Sequence, residues 1–475
     1  MKKTSRRFIH ELAQAHRFGV LVLFCLICMT SPIQAETKSA PKNVILLIGD
    51  GMGLGAIEIA RQLEYGKTGI LHLEKLEHVA LMRTYSANNY VTDSAAGGSA
   101  IATGIKTNNE MIGVNAKGEE VDSILDAFQA NGKKVGIIST NMVVDATPAA
   151  FGASVSNRWT GGAHIARQLF DNQIDVILGG GASYFEADKQ NGEDLIAKFK
   201  KAGYAFTTTK EELSSMNKKE KLLGLFHPTY MNFKLDKEVL HSQEPSLPEM
   251  TAKAIDILSQ GDKGFFLMSE GARIDSMEHA ADITGIWKEM IEFDQTVKEV
   301  VKWAKNRNDT LIVVLADHET MGISASETMD IAALKKIRVS SEYMSKQLTF
   351  DKNNEINPKS VVTVFKKYAH ISLTDHEVQQ FIDNVRKNRT LVYPKHRIEW
   401  EIGSTIANYH KAGVADRSIR AASSTGGHTA NMIPVFAAGP GSEAFEGVID
   451  NTDISKIITK ASGVPFTPGQ HKKEE

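Results

Sequence analysis

Ser94 is the side chain in this sequence whose surroundings best suit a nucleophile. It follows Thr92 and Asp93 and precedes a run of small residues up to Gly104, which predicts a helix that begins at Ser94. A serine at a helix start faces unpaired backbone N–H groups and the positive end of the helix dipole. The position therefore suits a serine that attacks a phosphoryl group, although an isolated Asp-Ser pair is more commonly an ordinary N-cap.

Asp50 directly follows the apolar run 44–48 and a glycine. Such a run predicts a buried parallel strand with Asp50 at its carboxyl end, where open α/β sheets bind their ligands. Gly49, Gly51 and Gly53 imitate a dinucleotide-binding loop, but their spacing departs from Gly-x-Gly-x-x-Gly. A carboxylate would also repel pyrophosphate unless a cation lay between them, so we favour a metal ligand over a dinucleotide site.

Asp275 and His279 lie four residues apart, shortly after the apolar run 264–268. On a helical turn this spacing puts both side chains on one face, where they can bind one ion. The alternative is a solvent-exposed helix start, where acidic residues are common.

Two further apolar runs, 310–315 and 433–439, have ligand-type residues beside them. A single histidine after glycines is more often a turn residue, but several strands that end in acids and histidines indicate bound metal, which would relieve the repulsion among the acids. The oxygen and imidazole donors fit two mixed sites suited to Zn²⁺ and one all-oxygen site suited to Mg²⁺. These donors are Asp50, Glu270, Asp275, His279, Asp317, His318 and His428.

Together these segments resemble the bacterial alkaline phosphatase family. The likeness extends from Asn43 to about Gly463, in family order, and is weakest between about 326 and 415. It implies that Ser94 is the nucleophile, that a phosphoserine intermediate forms, and that Arg158 binds phosphate. It also implies two Zn²⁺ and one Mg²⁺ per subunit. The implied ligands are Asp275, His279 and His428 for the first zinc, Asp50, Asp317 and His318 for the second, and Asp50, Glu270 and Thr147 for magnesium.

The implied function is that of an exported, metal-dependent phosphomonoesterase acting on diverse phosphate monoesters. One alternative is another hydrolase of the same superfamily, a phosphodiesterase or a sulfatase. The other is a non-catalytic secreted protein that binds metal or phosphate. Thr147, Arg158 and Glu270 together favour a monoesterase, and the resemblance also implies a homodimer.

Ser276 departs from family members that have lysine directly after the zinc-binding aspartate. Asp145, the acidic partner of such a lysine, is expected to have no such lysine beside it here. The sequence leaves open how this change affects phosphate release, and it does not determine the natural substrate, the pH optimum or the temperature adaptation.

Residues 1–35 have the pattern of a secretory signal peptide: basic residues, the apolar run 19–29 and a small residue, Ala35, at the expected cleavage site. The run is too short for a stable membrane anchor, so we expect cleavage and release to the periplasm or outside the cell, with Sec or twin-arginine export left open. Retention of the uncleaved segment is the alternative. Both cysteines, Cys25 and Cys28, lie in this segment, so the mature chain would have no disulfide.

Cleavage would remove five basic residues and one acidic residue, leaving 50 basic and 56 acidic side chains and a formal net charge of −6. This charge gives no reason to expect nucleic-acid binding.

Apolar strands alternate with amphipathic helices, which predicts an α/β fold: a three-layer α/β/α sandwich with a mostly parallel central sheet. We expect residues 36–475 to form a single catalytic domain. Residues 326–415 break the alternation and are interpreted as a cap- or crown-like insertion over the active-site edge. The helices predicted from periodicity include 121–131, 160–171, 247–259 and 283–305, and the strands include 135–139 and 174–179.

Overall fold

A ten-stranded, mostly parallel sheet dominates the computed structural model, which describes residues 40–216, 221–387 and 393–471. The predicted signal peptide lies outside these residues. In chain order the strands β1 to β12 are Asn43–Gly49, His78–Arg83, Lys134–Met142, Val176–Gly180, Ala205–Thr207, Leu222–Leu225, Phe265–Gly271, Thr310–Leu315, Glu319–Thr320, His428–Thr429, Ile433–Ala438 and Gly447–Asp450. The large sheet has the order β12-β2-β11-β8-β1-β7-β3-β4-β6-β5, and β9 pairs with β10 separately.

Helices occupy most of the connections between these strands. In chain order α1 to α17 are Leu54–Tyr65, Ser94–Thr103, Ile124–Ala130, Ala146–Ala149, Gly162–Asp171, Leu195–Lys201, Lys210–Ser215, Leu247–Leu258, Arg273–His279, Ile283–Ala304, Ile331–Leu334, Ser341–Ser345, Pro358–Val364, Asp375–Lys387, Arg397–Tyr409, Arg417–Ala422 and Asp453–Ser462. None of the helices in the described ranges combines the length and apolar character that a membrane span needs.

Three central strands, β1, β7 and β8, are buried along their whole length. Successive side chains of a strand point to opposite faces, so complete burial means that both faces of the sheet are covered. The pairs next to β11 are antiparallel, and the other pairs of the large sheet are parallel. The predicted α/β sandwich with a mostly parallel central sheet is therefore confirmed.

The strand register brings the predicted ligand segments to one edge. Ile48 of β1 pairs with Glu270 of β7 on one side and with Leu315 of β8 on the other. Asp50 and Asp317 each follow two residues beyond these pairs, so three acidic side chains reach the carboxyl edge of adjacent strands.

The helix predicted at 121–131 begins later than expected, at Ile124. Ser123 caps it: the Ser123 hydroxyl accepts a hydrogen bond from the Asp126 N–H, and the Asp126 carboxylate accepts one from the Ser123 N–H. This reciprocal capping box fixes the start, whereas apolar periodicity alone extended the helix to Val121.

The other three predicted helices are confirmed to within two residues, as Gly162–Asp171, Leu247–Leu258 and Ile283–Ala304.

The ends of the segment between Ser324 and Gly413 are paired with each other. The two residues exchange backbone hydrogen bonds of 2.8 and 3.1 Å. Helices α11 to α15 lie in this stretch, and it overlaps the predicted insertion at 326–415.

Gly403 of α15 allows this stretch to approach the main fold closely. A Cβ atom at Gly403 would lie 2.0 Å from the Ala280 carbonyl oxygen, next to helix α9. Because the obstructing atom is backbone, it cannot rotate away.

We expect Gly403→Ala to lower the free energy of unfolding by about 1–3 kcal/mol, the usual penalty for an overpacked interior. Urea unfolding monitored by circular dichroism would measure it. Asn408→Ala, at an exposed site of the same helix, is the control and should stay within about 0.5 kcal/mol of the wild type. Equal stability of the two variants would contradict the close packing at Gly403.

Candidate active site and metal centre

Ser94 is the first residue of α2 and is 5% exposed. Its Oγ lies 3.1 Å from Nε2 of His318. The predicted helix start is confirmed, but the N-cap is Asp93, whose carboxylate accepts a hydrogen bond from the Ala96 N–H at 3.0 Å. Because Asp93 satisfies the cap, the Ser94 hydroxyl is not needed for capping and faces the neighbouring histidine.

Asp275, His279 and His428 form a first cluster, with one ligand atom of each within 4.8 Å of the others. Nε2 of His279 lies 3.2 Å from both Asp275 Oδ2 and His428 Nε2. Each histidine places its other ring nitrogen, Nδ1, beside a backbone carbonyl: Gly426 at 2.9 Å for His279, and Thr92 at 3.0 Å for His428. Protons on the Nδ1 atoms direct both Nε2 lone pairs to a common point, which is the arrangement of paired metal ligands.

Asp50, Asp317 and His318 form a second cluster of the same dimensions. His318 Nε2 lies 3.4 Å from Asp50 Oδ1 and 3.3 Å from Asp317 Oδ2. Among the described residues, neither carboxylate oxygen has a hydrogen-bond partner, although both are buried. Buried oxygens of this kind need a partner, so the donor set fits a divalent cation.

Glu270 and Thr147 provide the oxygens of the predicted magnesium set beside Asp50. Glu270 Oε2 accepts a hydrogen bond of 2.5 Å from Ser139. The Thr147 hydroxyl is buried and lies close enough to Glu270 to lower the pKa of that carboxyl. These hard oxygen donors fit a small cation such as Mg²⁺.

Burial dominates the pKa values at this centre. It raises the pKa of Asp50 well above its ordinary value, with a further contribution from the charge of Asp317. Burial also raises the pKa of Glu270 to about 8 and that of Asp317 to about 6. It lowers the pKa of His318 to about 4 and that of His428 to about 3. Burial thus shifts each of these groups toward its neutral form.

Arg158 lies between two carboxylates at the edge of this centre. Its Nη1 donates to Asp93 at 3.1 Å and its Nη2 donates to Asp145 at 3.1 Å. Burial alone would lower the pKa of Arg158, but the charges of Asp145 and Asp93 outweigh it and raise the pKa. The guanidinium is therefore charged and held in a fixed plane.

Asp145 has a cationic partner of another kind, since Arg158 Nη2 lies 3.1 Å from its carboxylate. Ser276 also has a cationic neighbour, since Arg273 Nη1 donates to the Ser276 hydroxyl at 3.0 Å.

All the predicted site residues lie around this centre. The sequence analysis did not identify three further residues that hold them in place. The Thr320 hydroxyl donates to Asp275 at 2.6 Å and lies 3.2 Å from His318 Nδ1, so it links the two clusters. Trp400 stacks on His279, with ring centroids 5.3 Å apart. Asp93 both caps α2 and holds Arg158; the N-cap preference for aspartate could have identified the first role.

Comparisons with known proteins agree with this geometry. The family model described as alkaline phosphatase matches residues 41–464. Alkaline phosphatase 4 of Bacillus subtilis is 34% identical over 441 residues, which cover 90% of this chain and 89% of the relative. The chain belongs to the alkaline phosphatase family.

Solved structures of this family share the fold. The cold-active alkaline phosphatase of a Shewanella species matches with a TM-score of 0.74 and 30% identity, covering 89% of this chain and all of that one. The alkaline phosphatase of Thermus thermophilus matches with a TM-score of 0.78 and 27% identity, covering 92% and 96%. With this membership, the chain is a phosphatase.

We expect Arg158→Ala to raise both KM and the inhibition constant for phosphate by about 10- to 150-fold, because a charged hydrogen bond contributes about 1.5–3 kcal/mol. Steady-state kinetics and zinc analysis would measure the effects separately, and zinc content should change little. Arg158→Lys keeps the positive charge but loses the planar guanidinium with its paired N–H donors, so its KM and inhibition constant should be intermediate. Arg167→Ala, on α5, is the matched control. Unchanged phosphate inhibition in Arg158→Ala would indicate that another cation binds the anion.

The metal-free protein should lose stability as pH rises from about 6.5 to about 8. Glu270, with a folded pKa of about 8, keeps its proton in this window while the unfolded chain releases it, so the native state binds more protons. Below this window the histidines oppose the trend, because the unfolded chain then binds the extra protons at His318 and His428.

Thermal unfolding of chelator-treated protein at several pH values would measure this loss. Protein loaded with zinc and magnesium should not show it, because bound cations stabilise the carboxylate anions, and Glu270→Gln should reduce it. A melting temperature that rises over this window in the metal-free protein would contradict the raised pKa of Glu270.

Proposed function

We propose that this phosphatase is an exported, metal-dependent phosphomonoesterase that converts diverse phosphate monoesters to alcohol and inorganic phosphate through a phosphoserine on Ser94. The observation that carries this proposal is the position of the Ser94 hydroxyl at the helix start, 3.1 Å from His318 of the second cluster. The fixed fork of Arg158 beside it supports phosphate as the group that is bound.

Metal cofactors agree with the family and with a solved mutant of the TAB5 alkaline phosphatase, 28% identical, that has magnesium bound. We infer that the first and second clusters each hold one Zn²⁺ and that Asp50, Glu270 and Thr147 hold Mg²⁺. When bound, these ions supply positive charge that lowers the pKa of the Ser94 hydroxyl and of water and stabilises the departing oxygen.

The remaining steps follow from the side chains. Ser94 Oγ attacks phosphorus as the bond to the alcohol oxygen breaks, and the alcohol departs on the opposite side with a proton that replaces the one lost from the Ser94 hydroxyl. Arg158 has five N–H donors, of which the structure uses two on carboxylates, so others stay available for phosphate oxygens. Water then attacks the phosphoserine, which restores the Ser94 hydroxyl and releases phosphate. Because these contacts concern the phosphoryl group, they leave the alcohol part weakly restricted.

We also infer export to the periplasm or the extracellular space, on the signal-peptide pattern of residues 1–35. A homodimer is the assembly that the family resemblance supports.

Ser94→Ala should abolish phosphoenzyme formation and lower p-nitrophenyl phosphate turnover by about 10³-fold or more, the usual result of removing a nucleophile. Trapping with ³²P-labelled phosphate at acid pH would detect the intermediate, and zinc content should remain nearly constant. Ser99→Ala, in the same helix, is the control and should retain labelling. Label trapped on Ser94→Ala would disprove the assignment. Absence of turnover by the metal-loaded wild type would favour a non-catalytic binding protein.

A further inference from the structure

An exposed tryptophan directly follows the phosphate-binding arginine. Trp159 is 51% exposed, and the Arg158 Cζ lies 4.8 Å from the centroid of its ring. A single exposed apolar residue is common on protein surfaces. This indole, however, lies against the guanidinium that the site uses as its fork.

Tyr393 also packs against the indole. The two ring centroids are 5.6 Å apart with an interplanar angle of 60°. Tyr393 also packs on His279 of the first cluster, at 6.0 Å between centroids, and closely approaches the Gly426 backbone. The Trp159–Tyr393 pair therefore extends from the fork to the first cluster.

The position of this pair corresponds to the side from which the alcohol departs. In an in-line displacement, the leaving oxygen lies opposite the attacking oxygen. Ser94 contacts His318 of the second cluster, and the first cluster lies beyond it, where the rings of His318 and His428 stack at 3.6 Å. On this geometry the alcohol would depart on the side of His279, where Tyr393 packs on His279 and Trp159 packs on Tyr393. This step rests on the proposed function.

We propose that Trp159 is a stacking platform for the alcohol part of the substrate, with Tyr393 as its support, so that phosphate monoesters carrying a planar aromatic group such as a nucleobase are preferred. The rings of Trp159 and Tyr393 are in contact, so a third ring cannot enter between them and must lie on the exposed indole surface. Indole stacks well on any nucleobase, because every base presents a π face.

Adenosine 5′-monophosphate and ribose 5-phosphate provide a matched test. Both release the same ribose 5′-oxygen, and they differ mainly in the base. We expect the wild type to have the higher kcat/KM for the nucleotide. In Trp159→Ala the ratio of the two kcat/KM values should fall about 5- to 150-fold, as expected from loss of one stacked base. Trp159→Phe should recover part of the preference.

Tyr409→Ala, which removes a similarly exposed aromatic ring at the end of α15, is the control and should keep the wild-type ratio. Equal values for the two substrates in the wild type, or a ratio that Trp159→Ala leaves intact, would overturn the proposal.

Binding measurements separate this inference from the proposed function, because they need no turnover. Calorimetric titration of Ser94→Ala with each compound should give tighter binding of the nucleotide, and Trp159→Ala in the same background should remove the difference. Loss of turnover by the wild type with a retained binding preference would contradict the proposed phosphomonoesterase activity but not the stacking platform. Normal turnover without a preference for the nucleotide would contradict the stacking platform but not the proposed phosphomonoesterase activity.

Discussion

Buried carboxylates that lack positive partners share the carboxyl edge of the central sheet, and this electrostatic constraint governs the site. Asp317 is fully buried, Glu270 is 1% exposed and Asp50 is 6% exposed. Each unpaired buried ion costs several kcal/mol. The neighbouring guanidinium of Arg158 already pairs with two other carboxylates, so it does not neutralise these three. Divalent cations would neutralise the charges of these carboxylates. The strand ends, the histidines and the proposed chemistry therefore depend on one another.

The backbone fixes the positions of these acids and histidines. Parallel pairing of β1 with β7 and β8 fixes where the acids emerge, and a shift of one residue would turn each to the other face. The two histidines of the first cluster are held by main-chain carbonyls, so their ring orientation depends on loop conformation as well as on stacked side chains. Rigid placement of this kind is what a phosphoryl-transfer site requires.

The sequence predicted the parts of the site that follow from local pattern. Apolar runs ending in acids located the strand edge, and the four-residue spacing of Asp275 and His279 brought two members of one candidate metal cluster together. Partner choice was not predictable, because it depends on folded proximity. The pairing of Arg158 with Asp145 was missed for this reason, as was the packing of Trp400 on a histidine far away in the chain. The start of α3 was misplaced because a side-chain cap overrode apolar periodicity.

The backbone pairing of Ser324 with Gly413 has an evolutionary consequence. The intervening segment places Tyr393 and Trp400 beside His279, and its described residues contain no strand of the large sheet. Sequence changes at exposed positions of this segment can therefore leave the strand register intact while they alter the surroundings of His279. Selection can therefore diversify substrate preference in one module of the gene while the phosphoryl-transfer machinery is inherited unchanged on another.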